Sequence, residues 1–321
     1  MRRLLLVGHI STALVLSATV LNAYISPVVN AWLNFFSLVF PVVLVVYFVL
    51  CALWIFIRWR YAIFFLCLSF VFINPIKRWV NFSSKSHQSS DIKVMSFNVH
   101  NGFYGEKEIA EYINTENPDL IFLQEASFLG EKEYHFSDLK FKYQADYCVI
   151  LSKFPIQSEG LLNISRHGYI GKAIYADVDC HGQRLRLVNY YLEPFQLSDS
   201  ERQAENISGS YLEKFLFTFK EHAGQADALQ SSIKASPYPL LVAGDMNAVP
   251  NSYEYYTISR GLTDAFQSAG RGIGVSFREV IMPVKIDYIF SSEGIVPLSC
   301  HIAKTRNLSD HQPIIAEFSL R

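Results

Sequence analysis

The charges in this chain are confined in a way that decides most of its organisation. The first 80 residues contain no Asp or Glu, and their only basic residues are Arg2, Arg3, Arg58, Arg60, Lys77 and Arg78. Apolar runs at about 4–25, 36–57 and 61–76 lie between them. A helix needs ~20 apolar residues to cross the hydrocarbon core of a bilayer. The first two runs meet that length. The third is shorter and closed by Asn74-Pro75, which leaves it as a short span or an interfacial helix. A cleaved signal peptide would also begin with Arg2-Arg3 and an apolar run, but this run is long for one and the later runs still require a membrane. Two or three transmembrane helices are therefore expected over 1–80.

The short connections carry the topology. Arg2-Arg3 precede the first run, Arg58 and Arg60 follow the second, and the stretch between Ser26 and Asn34 has no charge. By the positive-inside rule the N-terminus and the Arg58 turn face the cytoplasm. A third crossing then places everything after residue 80 on the extracytoplasmic (periplasmic) side, while Lys77 and Arg78 oppose that placement. Without the third crossing it would be cytoplasmic.

Six of the 28 basic residues lie before residue 80 and all 29 acidic residues lie after it, so the remainder carries a formal charge of −7 that the whole-chain value of −1 conceals. This excludes a broad electropositive footprint for gripping nucleic acid through its phosphates and leaves only a local basic groove. Cys51 and Cys67 sit in apolar runs. Cys148, Cys180 and Cys300 are an odd number without Cys-x-x-Cys spacing, which speaks against a disulfide framework or a thiolate zinc site.

After a polar linker at 81–90, strand-like and helix-like runs alternate through 91–321. Strands are expected at Ile92 to Phe97, Leu120 to Leu123, Cys148 to Leu151, Ala173 to Val178, Leu185 to Tyr190, Leu240 to Ala243, Ile286 to Phe290 and Ile314 to Phe318. Helical spacing marks Lys107 to Asn114 and a long stretch from about Ser200 to Ala235. The mixture predicts one α/β layered domain.

Four polar clusters each follow a strand-like run: Phe97-Asn98-Val99, Gln124-Glu125, Gly244-Asp245-Met246-Asn247 and Ser309-Asp310-His311. Singly, each reads as a turn, a cap or a loop. Together they form a set of oxygen ligands at strand ends, where side chains are held rigidly about one point. Such oxygens suit a hard cation such as Mg²⁺ (or Mn²⁺), whereas zinc would call for more His or Cys.

The ordered motifs Met95-Ser96-Phe97-Asn98-Val99, Asn117-Pro118-Asp119-Leu120-Ile121-Phe122-Leu123-Gln124-Glu125, Gly244-Asp245-Met246-Asn247, Lys285-Ile286-Asp287-Tyr288-Ile289 and Ser309-Asp310-His311 resemble the signature of the endonuclease/exonuclease/phosphatase superfamily, the deoxyribonuclease I-like proteins. The resemblance implies a two-sheet β-sandwich flanked by helices, with the site at one end of the sheets. It implies that Asn98, Glu125 and Asp310 serve a divalent metal, that Asp245 orients and deprotonates the attacking water, and that Asn247 helps hold water and phosphate. Asp287 would pair with His311, fixing its tautomer and favouring the imidazolium.

One position departs from the pattern. Many family members end the strand before the long helix in Asn-x-His-Leu, and here the run is Val188-Asn189-Tyr190-Tyr191-Leu192, so Tyr191 takes the His place. A phenol can donate to an oxyanion but is neutral where imidazole can be cationic. His167, His181 and Lys172 are nearby substitutes, each with an ordinary surface reading as well.

Three functions follow as expectations. The first is a membrane-anchored, divalent-metal-dependent phosphoesterase acting on a lipid headgroup or small phosphoester. The second is an extracytoplasmic nuclease, for which Tyr253, Tyr255 and Tyr256 offer stacking faces that also suit packing beneath a helix. The third is a non-catalytic binding or scaffold relative in which Tyr191 marks the loss of chemistry.

Overall fold

The structure is a computed structural model that describes residues 2–84, 86, 88–130, 136, 138–165, 171–195, 211–279, 282–305 and 307–321. It opens with α1 (Arg2–Ala18), extended by a 3₁₀ turn at Thr19–Ala23, then α2 (Pro27–Asn30), α3 (Trp32–Leu68), a 3₁₀ turn at Ser69–Phe72 and α4 (Ile73–Lys77). Two stretches, Arg2–Ala23 and Trp32–Lys77, are long and apolar enough to cross a membrane.

Within α3 the helical backbone breaks at Arg58 (φ −158°, ψ 90°), inside the polar Arg58-Trp59-Arg60 step. The chain doubles back there. The Tyr47 hydroxyl donates to the Phe65 carbonyl at 2.6 Å, and the rings of Tyr47 and Phe72 lie 5.9 Å apart. In one straight helix residues 47 and 72 would stand ~37 Å apart. The second and third apolar runs are thus antiparallel partners. The three stretches meet on His9, whose ring stacks on Phe65 at 3.6 Å and whose Nδ1 accepts from Trp54 Nε1 at 3.1 Å.

Strand β1 (Val80–Phe82) follows, so Asn81 and Phe82, expected in a linker, are ordered instead. Their partner is β11 (Arg271–Ile273), a strand with no strong apolar pattern of its own. The polar linker accordingly begins at Ser83; Lys85 and His87 within it lie outside the described residues.

Two six-stranded sheets form the remainder. One has the order β13-β14-β2-β3-β5-β4, from β2 (Ile92–Asn98), β3 (Leu120–Gln124), β4 (Phe141–Ala145), β5 (Cys148–Ser152), β13 (Ile295–Ile302) and β14 (Ile314–Leu320). The other has the order β10-β12-β9-β8-β7-β6, from β6 (Ile156–Leu162), β7 (Lys172–Cys180), β8 (Gln183–Tyr191), β9 (Leu240–Asp245), β10 (Thr263–Asp264) and β12 (Asp287–Ser291). The two-sheet α/β sandwich expected from the sequence is the fold observed.

The inner faces of both sheets bury a common core around Val94, Phe122, Ile150, Ile174, Leu187, Leu241 and Ile314. The outer face of the first sheet is covered by α5 (Glu106–Glu116) through Ile109 and Ile113, four residues apart on one helical face. The second sheet is covered by α6 (Tyr211–Lys234) through Ala226, Leu229 and Ile233, together with α7 (Tyr253–Ile258) and its Tyr255. The part of the predicted long helix before Tyr211 lies outside the described residues. The short α8 (Ala265–Ala269) is capped by Asp264, which accepts from the amides of Phe266 and Gln267.

The N-terminal helices dock on this sandwich by specific polar contacts. Asn22 Nδ2 and Ser37 Oγ both donate to the Asn251 carbonyl, at 3.0 and 2.7 Å, and the Asn251 side-chain oxygen accepts from Arg78 at 2.7 Å. The Arg78 guanidinium lies over the Tyr255 and Tyr256 rings, 4.6 and 4.7 Å from their centroids, and Trp79 belongs to the same apolar cluster as Val249 and Ile286. Asn22, Asn34 and Arg78 thus mark the docked end of the helical bundle. Because its stretches alternate in direction, Arg2, Arg3, Arg58 and Arg60 mark the opposite end.

Asn34 donates to both carboxylate oxygens of Glu254 at 3.0 Å, and both residues are buried. Leucine in its place would leave that carboxylate short of donors, at a cost of ~1–3 kcal/mol. Asn34→Leu is expected to lower denaturant stability of the detergent-solubilised full chain by about that amount.

Candidate active site

The register of the sheets brings the polar clusters together. Asn98 ends β2 and is paired with Gln124, the residue before Glu125, because β2 and β3 run parallel and finish at the same edge. In the other sheet Asp245 ends β9 and faces Asp287, the first residue of β12, on one side and Tyr191, the last of β8, on the other. Asp310 and His311 lie just before β14, the antiparallel neighbour of β2. Strand ends from both sheets therefore converge on one end of the sandwich.

The backbone there departs from regular geometry. Glu125 and Asn247 both have φ of 49°, in the left-handed region that non-glycine residues seldom occupy. The Gly244 backbone passes so close to strand β8 that a Cβ would run into the Tyr190 carbonyl oxygen, which explains the glycine before Asp245.

Asp245, Asp287 and His311 form the buried half of the site. His311 Nδ1 is 2.9 Å from Asp287 Oδ2, and Nε2 is 3.7 Å from Asp245 Oδ2. Burial alone would push the imidazole down, but the Asp287 and Asp245 carboxylates outweigh it and hold His311 up to about 10. Burial and the Asp287 charge push Asp245 up to about 8, against the opposing pull of His311 and of hydrogen bonds from Asn247 N and Asn98 Nδ2. These three residues bring donor atoms within 4.8 Å of one another, but the imidazolium already supplies their positive charge.

The more open half holds the oxygens that suit a cation. Asn98 Nδ2 donates to Glu125 Oε1 at 2.9 Å and to Asp245 Oδ2 at 3.0 Å, so one amide ties the two halves together. The Glu125 and Asp310 side chains are 19% and 10% exposed, open enough to meet solvent. Hard oxygens from Asn98, Glu125 and Asp310 form a donor set that fits a divalent cation of the Mg²⁺ kind.

Tyr191 does not stand free in the His place. Its hydroxyl donates to Glu125 Oε1 at 2.9 Å, and burial, with Glu125 and Asp245 nearby, holds the phenol well above its usual range. Asn247 Nδ2 donates to the Leu192 carbonyl at 2.9 Å, while its backbone N–H donates to Asp245.

All eight residues singled out from the sequence, Asn98, Glu125, Tyr191, Asp245, Asn247, Asp287, Asp310 and His311, lie at this end of the sandwich. Of the candidate substitutes, Lys172 stands opposite Tyr191 across β7 and β8, but its ammonium is engaged elsewhere. Lys172 pairs with Asp146 at 3.2 Å, His181 sits in the turn at the far end of the β7–β8 hairpin, and His167 lies outside the described residues. Tyr255 and Tyr256 are taken up around Arg78, and Tyr253 donates to Asp227, so none of the three forms an open stacking face.

One site residue was missed. His100 Nδ1 lies 3.2 Å from Asp310 Oδ2 and 3.8 Å from Glu125 Oε2. The only signal in the sequence is its position two residues after Asn98.

A two-sheet sandwich with buried carboxylates, an imidazolium and cation-ready oxygens at one end defines a class of proteins built for phosphoester chemistry. The endonuclease/exonuclease/phosphatase family model matches residues 95–311, and the chain belongs to that family. Its members are typically metal-dependent phosphoester hydrolases. A second model, described as a domain of unknown function (DUF8431), matches residues 2–79.

Among solved structures, a humanized TDP2 of D. rerio is 18% identical, covers 71% of this chain and 98% of its own, and superposes with a TM-score of 0.55. An endonuclease/exonuclease/phosphatase from Bacteroides vulgatus is 19% identical over 73% and 100% of the two chains, with a TM-score of 0.53. The mannosyl-6-phosphatase Bt3783 of Bacteroides thetaiotaomicron is 15% identical over 71% and 100%, at 0.55. At such identities the likeness is one of fold. No curated protein sequence matches the chain.

The shifts give a pH signature. Folding raises Asp245 from 3.8 to about 8 and His311 from 6.5 to about 10. Each contributes stability that is full below the lower value and lost as pH rises through the upper one. Denaturant stability of the metal-free full chain in EDTA should therefore fall with rising pH, most steeply between 6.5 and 8 where the ranges overlap. A wild-type profile that rises across that window would contradict the assignment.

Proposed function

We propose that this chain is a membrane-anchored, divalent-metal-dependent phosphoesterase whose site stands at the height of lipid headgroups. The observation that carries this reading is how the anchor packs. Its apolar cluster, which includes Phe40, Phe72 and Trp79, also takes in Val249, Ile286, Phe277 and Val284. Ile286 precedes Asp287, Val249 follows Asp245 by four residues, and the Phe277 ring is 4.8 Å from that of His311. About one side chain separates the catalytic end from the helices.

The helices themselves call for a bilayer. Leu4, Val45, Phe56, Phe70 and Val71 are 63–88% exposed, too much contiguous apolar surface for water to surround. The polar headgroup layer on each side of the hydrocarbon is ~5–8 Å deep. A site one side chain from the bundle's docked end lies within that depth, which favours a phosphoester carried by a lipid over duplex DNA. The formal charge of −7 on the part beyond residue 80 favours the same choice.

The same bundle supports an orientation. Four arginines mark the end away from the sandwich; of the two residues that oppose them, Arg78 is taken up by Tyr255, Tyr256 and Asn251, while Lys77 stays exposed at the docked end. By the positive-inside rule this balance of four against one favours the extracytoplasmic, periplasmic side for the sandwich. A reporter active in only one compartment, fused after Arg321, is expected to work outside the cytoplasm; activity confined to the cytoplasm would reverse the orientation.

The chemistry falls to the chain's own groups as follows. Asp245, whose carboxylate is made more basic by burial and by the Asp287 charge, takes the proton of the attacking water when ionised. The His311 imidazolium, held by Asp287, donates to a non-bridging phosphate oxygen and offsets its developing charge. The Asn247 amide helps hold water and phosphate. A divalent ion, Mg²⁺ or Mn²⁺, held by Asn98, Glu125 and Asp310 would supply Lewis-acid stabilisation of the same oxygens. Tyr191 acts through Glu125, aiming its carboxylate.

The test uses the full chain in lipid vesicles with Mg²⁺ or Mn²⁺. The vesicles carry phospholipid or sphingolipid, and a soluble aryl phosphodiester and plasmid DNA are offered in parallel. Metal-dependent turnover of vesicle lipid is expected, reduced ~10²–10⁴-fold by Asp245→Asn. Preferential cleavage of DNA would replace this reading with the nuclease, and no metal-dependent turnover on any substrate would leave the scaffold. Tyr191→Phe should raise the metal concentration for half-maximal activity ~10-fold, as loss of an outer-shell partner does.

A further inference from the structure

We propose that His100 is a direct ligand of the divalent cation and shifts the site's preference from Mg²⁺ toward first-row transition ions. The proposal rests on the reading that Asn98, Glu125 and Asp310 hold a cation. It adds a nitrogen donor from just beyond the Met95 to Val99 motif.

The geometry is that of a ligand between ligands. His100 Nδ1 lies 3.2 Å from Asp310 Oδ2 and 3.8 Å from Glu125 Oε2. Neighbouring donors around an octahedral ion bound at ~2.1 Å stand ~3 Å apart. The nitrogen thus stands at about that spacing from Asp310 and somewhat farther from Glu125. Its side chain is 42% exposed, so it is reachable from solvent.

The loop is built to hold it there. His100 and Asn101 both adopt left-handed backbone, φ 45° and 49°, a strained pair in residues other than glycine. That conformation is secured by the metal-side residues themselves: His100 N donates to Asn98 Oδ1 at 3.0 Å and Asn101 N to the Glu125 carbonyl at 2.7 Å. Ser127 Oγ further anchors the Asn101 side chain at 2.7 Å. The imidazole is walled by Phe103 and Tyr104, with centroids 5.7 and 5.9 Å away, and Tyr104 is itself fixed by Glu279. Strain, backbone ties and ring contacts all serve to aim one nitrogen at Asp310 and Glu125.

The donor set then has a consequence. Mg²⁺ takes oxygen ligands almost exclusively, whereas an imidazole nitrogen favours transition ions. The site would bind Mn²⁺ more tightly than Mg²⁺, and the difference would reside in one side chain.

Mn²⁺ is the probe, and the full chain in detergent is the sample. Pulsed electron paramagnetic resonance of the Mn²⁺-loaded protein is expected to show ¹⁴N coupling from a directly bound imidazole, absent in His100→Gln. Titration calorimetry should show Mn²⁺ affinity in that variant weakened by at least the ~10-fold that losing even an outer-shell partner costs, with Mg²⁺ affinity changed less than about twofold. Mn²⁺ bound without ¹⁴N coupling, or with coupling that survives in His100→Gln, overturns the role of His100 alone. Absence of Mn²⁺ and Mg²⁺ binding in the wild type overturns the cation site and this proposal with it.

Discussion

Two buried carboxylates facing each other across adjacent strands are tolerated in a protein interior only when one keeps a proton or a positive charge joins them. Asp245 and Asp287 are such a pair, and His311 is that charge. The pair belongs to one sheet and the histidine to the approach of β14 in the other, so the interaction that makes the site tolerable also locks the ends of the two sheets. Asn98 repeats the device with a neutral group, reaching from β2 to Asp245 and Glu125 at once. Gly244 is the steric condition for both, since any side chain there would separate β9 from β8.

The helical bundle is continuous with this arrangement rather than appended to it. The loops that leave the catalytic strands after Asp245 and before Asp287 supply its docking surface through Val249, Asn251, Glu254 and Ile286. Buried amide and guanidinium contacts make that joint directional, which apolar packing alone would not. Strand β1 adds a backbone pairing with β11 to the same joint.

Much of this was legible in the sequence for a physical reason. The candidate site groups at strand ends sit beside the most apolar, most regularly patterned segments of the chain, so the strands announce where they cluster. The elements left unread are those whose pattern depends on distant partners. Strand β6 is largely exposed and β1 is only three residues long, and each is a strand because another strand lies beside it. The contact between Asn34 and Glu254 joins residues 220 positions apart and leaves no local trace. His100 escaped because a histidine in a loop has no periodicity, and only the fold shows Asp310 opposite it. Tyr191 was identified by position, but its bond to Glu125 redefines it as a group that steers a carboxylate.

The docked joint also changes what kind of encounter brings substrate to the site. A domain on a long tether samples the volume above a membrane, and its substrate is counted per litre. Here Arg78, Trp79 and β1 leave almost no slack between the last apolar helix and the sandwich. On the reading proposed above, the site travels at one fixed height, and its search is two-dimensional. The quantity that sets its rate is then the mole fraction of substrate in the leaflet, so diluting that lipid with inert lipid would slow the reaction even with the total amount of substrate unchanged.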